Sequence, residues 1–286
     1  GGKYLRAPDI FFTILEKGKG KLVRLGEIAN VQFGCHTGIN DFFYFKKATI
    51  NRFHIESEYI EPVIRSPRDV KTSIIDLEDL TTFVFNCSTS IKVLKRKKHF
   101  GALNYITWGS KQVTRKTQQR KKVTLFPEVE SVRKRKPGWW ALPQKEVTKS
   151  SLFIIYVWNK HAKIVYSPQP VVSDACFHRV FADGKEEILA AILNSSPFLL
   201  MVLIFGRSNL GMGAMKLERQ DCTRLFIIHP EKLSNEILEN LICRYQVFGS
   251  REIFDLFTEC GIDPESDIPI AQQEPNPLPD RKALDD

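Results

Sequence analysis

The sequence predicts an α+β fold that combines mixed or antiparallel β-sheets with a buried helix and further helices towards the C-terminus. Three observations predict this class. Short runs of β-branched and aromatic residues, separated by turn residues, occur in two distant parts of the chain. A long apolar stretch and a later amphipathic stretch are typical of helices. These strands and helices do not alternate regularly, which argues against a doubly wound parallel sheet.

The first elements can be placed in order along the chain. Residues 7–18 have a proline near the first turn, apolar side chains and a final glycine, so they predict a short helix. Residues 22–45 contain glycines among β-branched and aromatic residues, which predicts strands joined by tight turns. Further short strands are predicted at residues 152–158, 164–166, 171–172 and 177–181.

The last third of the chain predicts helices. Residues 186–205 are apolar on nearly every face and predict a buried helix, or two helices bent at Pro197. Residues 231–248 predict an amphipathic helix, and residues 251–260 a further helix. Prolines then accumulate among acidic residues and glutamines. We therefore divide the chain into a domain of residues 1–262 and a proline-rich acidic tail or linker of residues 263–286, which we expect to stay outside the core.

The composition is that of an ordinary globular protein, with 43% hydrophobic and 26% charged residues. No two of the cysteines have C-x-x-C spacing, so neither structural zinc nor redox chemistry is predicted. The longest apolar stretch is interrupted at residues 194–197, which leaves it shorter than the roughly 20 residues of a membrane helix. Because no secretory signal is recognisable, we expect a cytoplasmic piece of a larger protein without a membrane partner.

The net charge of +9 is concentrated in one part of the chain. Residues 92–149, the basic segment, hold 17 lysines or arginines and three acidic residues, whereas residues 263–286 are acidic and the remainder is balanced. A polyanion relieves the mutual repulsion of such cations, so the basic segment predicts contact with nucleic acid. A solvated loop and, more weakly, a lipid surface are the alternatives. The cations form three clusters: Lys95, Arg96, Lys97 and Lys98; Arg115, Lys116, Arg120, Lys121 and Lys122; and Arg133, Lys134, Arg135 and Lys136.

A series of short motifs outside these clusters follows a recognisable order. The motifs are residues 3–9 (KYLRAPD), 25–29 (LGEIA), 34–43 (GCHTGINDFF), 66–69 (SPRD), 139–143 (WWALP), 173–177 (SDACF), 193–195 (LNS) and 206–217 (GRSNLGMGAMKL). Together they resemble the C-terminal specificity domain of TaqI-like adenine methyltransferases, a family that includes fused type II restriction-modification enzymes and phage-defence methylases. Residues 77–135 match no motif of the family, which leaves the DNA target sequence open.

The resemblance implies that the domain of residues 1–262 is a DNA target-recognition domain. A catalytic domain N-terminal to it in the parent chain would carry S-adenosylmethionine, and the parent would be an adenine-specific DNA methyltransferase, with or without a fused restriction endonuclease. The nearest match to a catalytic Asn-Pro-Pro-aromatic loop, residues 276–279, lacks the aromatic residue. The glycine-rich residues 206–213 are not followed by Lys-Ser or Lys-Thr. We therefore predict no catalytic, cofactor-binding or metal-binding residues in this chain, which by itself is not an enzyme.

Double-stranded DNA is the partner that these observations predict. Lysines and arginines would mostly contact phosphates, while glutamines in the basic segment are candidates for reading base edges. The glycine-rich turns at residues 34–40 and 207–216 either approach the DNA backbone or simply support the fold. Besides the three cation clusters, the predicted DNA-contacting residues are Gln112, Gln118, Gln119, Trp139, Trp140, Gly38, Asn40, Arg207, Asn209 and Lys216.

Other functions remain open at the level of the sequence. A stand-alone specificity subunit of a restriction-modification complex would bind its partner subunits through helices such as residues 231–248. A metal-dependent nuclease is a more distant alternative. Residues 8–17 contain acidic residues but are predicted to be helical, whereas nuclease sites place such acids on strands, and Glu128 and Glu130 alone fall short of a metal site. An RNA-binding or scaffolding protein forms a third class.

Overall fold

The computed structural model describes residues 7–115, 122–208 and 214–286. Helices and strands are mixed along the chain, which confirms the predicted α+β class. The elements are α1 (Asp9–Lys17), β1 (Leu22–Arg24), α2 (Leu25–Ile28), β2 (Asn30–Phe33), α3 (Asn40–Phe43), β3 (Tyr44–Lys46), α4 (Lys47–Phe53), β4 (Ile60–Ile64), β5 (Thr82–Phe85), α5 (Ile91–Lys97), α6 (Phe100–Gly109), β6 (Ser150–Ile155), β7 (Val157–Trp158), β8 (Ile164–Ser173), β9 (Phe177–Phe181), α7 (Glu186–Leu193), α8 (Ser196–Phe205), β10 (Met215–Lys216), α9 (Arg219–Thr223), β11 (Phe226–Ile228), α10 (Asn235–Ser250), α11 (Leu256–Cys260) and α12 (Pro279–Asp285).

A seven-stranded sheet organises the fold, with the strand order β2-β9-β6-β8-β4-β5-β3. Its neighbours are antiparallel except for β4 and β8, which run parallel. Strand β8 joins the two strands predicted at residues 164–166 and 171–172, so the turn expected between them is wrong. The register with β6 shifts there instead, because Pro168 and Pro170 have no amide hydrogen to donate to a neighbouring strand.

Two hydrophobic cores pack against this sheet. In the pair of β4 with β8, Val63 and Val172 belong to one core, whereas Ile64 and Val171 belong to the other. Successive side chains of a strand point to opposite faces, so the sheet separates the cores at this pair. One core, the helical core, packs the sheet against α7, α8 and α10. The other, the aromatic core, gathers residues of α3, β5 and α6 with the tryptophans of the basic segment.

Helices α7 and α8 confirm the prediction of a buried, bent pair at residues 186–205. The two helices differ in direction by 74°. Pro197 lies in the first turn of α8, where a proline breaks no hydrogen bond. At the junction, the Asn194 carboxamide donates to the carbonyl oxygens of Ala190 and Ile164 and accepts from the Ile164 amide. No single helix in the described ranges is long and apolar enough to cross a bilayer, and this pair passes that test only when its two helices are taken together.

The C-terminal end of the chain contacts the helical core. Leu284 of α12 is 4% exposed and belongs to that core. The Arg281 guanidinium lies 4.3 Å from the centroid of the Phe248 ring and 3.5 Å from the Glu259 carboxylate. These contacts correct the expectation that residues 263–286 stay outside the core. The proline-rich, acidic composition of the segment did not indicate α12, in which Arg281 and Leu284, three positions apart, are both buried. The domain boundary at residue 262 stays a prediction.

Candidate nucleic-acid interface

Two of the sequence motifs, residues 34–43 and 173–177, meet where β2 and β8 end. The Cys35 amide donates to the Ser173 carbonyl oxygen at 2.7 Å, and the Ala175 amide donates to the Cys35 carbonyl oxygen at 3.1 Å. A Cβ on Gly34 would lie 2.1 Å from the Asp174 carbonyl oxygen, so a side chain does not fit. The close backbone approach at Gly34 is therefore an approach between two motifs of the protein.

The turn at residues 34–40 packs against the basic segment. Gly38 has a φ of +75°, and a Cβ there would lie 2.5 Å from the Ser131 hydroxyl oxygen. The His36 amide donates to a Glu146 carboxylate oxygen at 2.8 Å. Asn40 is exposed, and its side-chain oxygen accepts a hydrogen bond from the Thr37 hydroxyl. Gly38 and Asn40 thus lie beside the part of the basic segment that carries the third cation cluster.

Arg135 attaches the third cation cluster to this turn. Its guanidinium donates to the carbonyl oxygens of Ala141 at 3.2 Å and His36 at 3.5 Å, and lies 5.4 Å from the centroid of the Phe43 ring. The side chains of Arg133, Lys134 and Lys136 are exposed, and Arg133 lies 3.9 Å from Glu130. Arg135 therefore supports the fold, while its three neighbours face solvent around the turn.

Arg115, a described residue of the second cation cluster, lies next to the same turn. The Arg115 side chain is 82% exposed and lies 3.5 Å from Asp41, which directly follows Asn40. Lys122 is exposed, whereas Gln112 is half-buried and donates to the Trp108 carbonyl oxygen at 3.3 Å. The structure therefore brings Arg115 and the third cluster to one surface. The predictions for Lys116, Gln118, Gln119, Arg120 and Lys121 lie outside the described residues.

The first cation cluster lies at the C-terminal end of α5. Lys95, Arg96, Lys97 and Lys98 are all exposed, and Lys97 lies 3.6 Å from Glu58. Ion pairs between exposed side chains stabilise by only about 0–1 kcal/mol, so they leave the positive charge available to a polyanion. The ion pair with Glu58 joins this cluster to the residues just before β4, whereas Arg115 and the third cluster lie by the turn at residues 34–40.

Trp139 and Trp140 belong to the aromatic core. They are 8% and 9% exposed, and the Trp139 ring centroid lies 4.5 Å from that of Phe42. The Trp140 indole nitrogen donates to the Thr89 carbonyl oxygen at 3.3 Å. This burial leaves little of either ring exposed, and contact of the two rings with DNA stays a prediction. Tryptophans that follow a cation cluster in sequence here anchor the segment to the fold, and their side chains point inward.

The turn at residues 207–216 is closed by its own backbone. The Arg207 and Lys216 amides each donate to the other's carbonyl oxygen at 2.9 Å. The Arg207 guanidinium lies 3.0 Å from buried Asp221, and the Lys216 ammonium lies 2.8 Å from Glu218 and holds the pKa of that carboxylate below its ordinary value. Both predicted cations are therefore paired with acids of the fold. The prediction for Asn209 lies outside the described residues.

A row of rings that the sequence did not predict connects the two turns. The Lys216 ammonium lies 5.0 Å from the Tyr156 ring centroid, which lies 5.9 Å from that of Phe33. The Phe33 centroid lies 5.9 Å from that of His36. Phe33 directly precedes the glycine-rich motif of residues 34–43, and this position is the sequence feature that could have identified it as a site residue. We call Lys216, Tyr156, Phe33, His36 and Asn40, with Arg115, Arg133, Lys134 and Lys136, the candidate interface.

The exposed cations of the candidate interface suit binding of an anion. Among the residues that the structure describes, no group of three or more His, Cys, Asp or Glu side chains could hold a metal ion. Burial raises the pKa of Cys35 to about 12, so its thiol stays protonated and is a poor nucleophile. Exposed arginine and lysine side chains are charged donors, which make strong hydrogen bonds to phosphate oxygens.

Comparisons with known proteins agree with this fold. No curated protein matches the chain. The chain is similar in structure to the type IIG restriction endonuclease BpuSI, with a TM-score of 0.61 and 13% identity over 97% of this chain. It is also similar to the type IIL restriction-modification enzyme MmeI in complex with DNA, with a TM-score of 0.50 and 12% identity over 92% of this chain. The chain spans 32% of the length of each of these two proteins.

The family assignment rests on sequence. A model of the C-terminal domain of the type II methyltransferase M.Eco57I matches residues 10–255. This match covers most of the chain and agrees with the resemblance drawn from the short motifs. The chain therefore belongs to the family of the C-terminal domain of the type II methyltransferase M.Eco57I.

Proposed function

We propose that the chain is the target-recognition domain of a restriction-modification DNA methyltransferase and binds double-stranded DNA through the candidate interface. Membership of the family supports the methyltransferase parent. The similarity to MmeI, whose structure was determined in complex with DNA, supports the choice of partner. In the parent, a catalytic domain N-terminal to this one would act on the DNA that this domain holds.

The observation that carries the proposal is a set of exposed cations around one turn. Exposed Arg133, Lys134 and Lys136 follow Ser131 and Val132, which pack against Gly38, and exposed Arg115 lies beside Asp41 at the end of the same turn. Arg115 and Arg133 each have one acid nearby, at 3.5 Å and 3.9 Å. Such long contacts between exposed groups compensate little of the charge, and a DNA backbone would supply the anions that the fold does not.

The proposal extends to an adenine-specific parent that uses S-adenosylmethionine. The resemblance of the short motifs to adenine methyltransferases supports this extension. The glycine-rich residues 206–213 follow α8 and precede β10 in the sequence. A turn that binds such a cofactor leads from a strand into a helix, whose amide groups face the anionic or polar ligand. The cofactor would therefore bind in the N-terminal domain.

Selection from a random pool of duplex DNA tests target recognition. The purified chain should enrich a defined duplex sequence that contains an adenine. The Asn40→Ala variant should lose preference at one position of that sequence by roughly 1–3 kcal/mol, because a carboxamide can pair with an adenine edge. The Asn51→Ala variant removes an exposed carboxamide on α4 and serves as the matched control. Retention of DNA without any enriched sequence would contradict target recognition.

A stand-alone specificity subunit is the second candidate. Helix α10 exposes Ile237 and Val247, with 51% and 66% of their surfaces accessible, as a surface that contacts a partner subunit would. The coding sequence upstream separates the two candidates. A fused enzyme requires an Asn-Pro-Pro-aromatic motif in the same reading frame, whereas a stand-alone subunit would have its start codon close to Lys3.

A further inference from the structure

A cavity adjoins the candidate interface and has no part in the function proposed above. It has a volume of about 580 Å³, within the range of roughly 300–1,000 Å³ that is usual for small-molecule sites. Tyr156 lines it, and the same tyrosine contacts Lys216 and Phe33 of the candidate interface. The cavity therefore opens next to the surface that we assign to DNA.

Lys163 gives the cavity a buried positive charge. Its side chain is 4% exposed, and its ammonium donates to the carbonyl oxygens of Val70 and Lys71. No carboxylate in the described ranges forms a direct ion pair with it. Burial lowers its pKa to about 8, and the charge of Glu252 opposes that shift only in part. A buried ammonium without a directly paired counter-ion is costly. An anion in the cavity would offset that cost, since the ammonium has three hydrogens and two of them meet carbonyl oxygens.

Two more cations line the cavity, together with one carboxylate. Arg68 is exposed, and Lys71 lies 3.7 Å from Glu252 with 73% of its side chain exposed. Three cations against one acid favour an anionic ligand. Arg68 and Lys71 follow β4, whereas Lys163 lies at the start of β8, so the charges reach the cavity from two parts of the chain.

The remaining wall of the cavity is largely apolar. Tyr156, Val157 and Ile253 line it beside the cations. A phosphate alone would fill a small part of such a volume and would leave these side chains uncovered. A flat heterocycle attached to the phosphate would cover them, because aromatic bases pack well on apolar and aromatic side chains.

We propose that this cavity binds one nucleotide, with its phosphate held by Arg68, Lys71 and Lys163 and its base against Tyr156, Val157 and Ile253. The nucleotide is either free or part of a DNA strand that leaves the candidate interface. Binding of a nucleotide within a DNA strand rests on the proposed function, whereas binding of a free nucleotide does not. If either kind of binding is not observed, the other can still be tested.

Calorimetric titration of the purified chain tests the pocket itself. The probes are deoxyadenosine monophosphate, deoxyadenosine and inorganic phosphate. The monophosphate should bind more tightly than either of the others, and both Arg68→Ala and Lys163→Met should weaken it about tenfold, the loss of one hydrogen bond to a charged group. Lys19→Ala removes an exposed lysine that does not line the cavity and should change nothing. Arg68 is exposed, so its variant remains informative if Lys163→Met does not fold.

The source is identified by repeating the titration with duplex DNA. If the nucleotide belongs to a DNA strand, Arg68→Ala weakens DNA binding and the monophosphate competes with DNA. If the nucleotide is free, the variant weakens binding of the monophosphate alone. Equal affinities of the monophosphate for wild type, Arg68→Ala and Lys163→Met would overturn the pocket. In that case, the proposed function would still stand if substitutions at Lys134 weaken binding of duplex DNA.

Discussion

Gly34 shows how one residue sets the geometry of the candidate interface. It lets the turn at residues 34–40 pass within van der Waals distance of the backbone at Asp174, and the turn then positions His36 and Asn40. The sequence predicted a tight, glycine-rich turn here. It could not identify the backbone on the opposite side, because Asp174 is 140 positions away in sequence and nothing local encodes that contact.

Replacing Gly34 by alanine tests this contact. A Cβ 2.1 Å from a carbonyl oxygen forces the two backbones apart, so Gly34→Ala should lower the free energy of unfolding by more than about 3 kcal/mol. Gly20→Ala is the control, because Gly20 has a φ of +79° but no atom within 4 Å of its Cβ position. It should cost about 1 kcal/mol, the strain of the backbone alone. Urea titrations that gave equal losses for the two variants would refute the contact.

Burial also distinguishes the predicted site residues that are exposed from those whose side chains pack against the protein. Trp139, Trp140 and Arg135 lie next to exposed cations in sequence, yet their side chains point into the protein or along the turn. Charge and aromatic content describe a segment as a whole. The direction of each side chain depends on the backbone of an irregular segment, which no periodic pattern describes.

At the scale of elements, periodic segments were predictable and irregular ones were not. Helices α7 and α8 and strand β9 lie where continuous apolar runs and flanking turn residues place them. Strand β8 was predicted as two strands because its prolines indicate a turn. In the structure the strand continues through the prolines, and the register with β6 shifts there. Helix α12 was missed because its short sequence has one core leucine, and its position depends on contacts with α10, with α11 and with the junction of α7 and α8.

The role of α12 can be tested by two neighbouring substitutions. Leu284→Ala should lower the free energy of unfolding by about 2 kcal/mol, since it removes a buried side chain from the helical core. Lys282→Ala changes an exposed position of the same helix and should alter stability by less than about 0.5 kcal/mol. Thermal unfolding followed by circular dichroism distinguishes them. A Leu284→Ala variant as stable as Lys282→Ala would show that residues 263–286 are a separate tail after all.

At the scale of the whole molecule, the sequence predicted where along the chain the cations concentrate, but it did not predict where they lie in the fold. Counting residues located the excess of cations in residues 92–149. The structure then divides that segment: the third cluster and Arg115 lie around the turn at residues 34–40, and the first cluster lies apart on α5. Long-range contacts decide this division, and they depend on the order of strands in the sheet.

The proposed function depends on whether the cations around this turn bind duplex DNA. The most direct measurement is the slope of the logarithm of DNA affinity against the logarithm of salt concentration. Changing Arg133, Lys134 and Lys136 to glutamate should make that slope shallower by roughly 3, about 0.9 for each phosphate that is no longer neutralised. Changing exposed Lys17, Lys19 and Lys21 to glutamate alters the net charge equally and should leave the slope unchanged. Equal slopes for the two triple variants would contradict DNA binding at this turn.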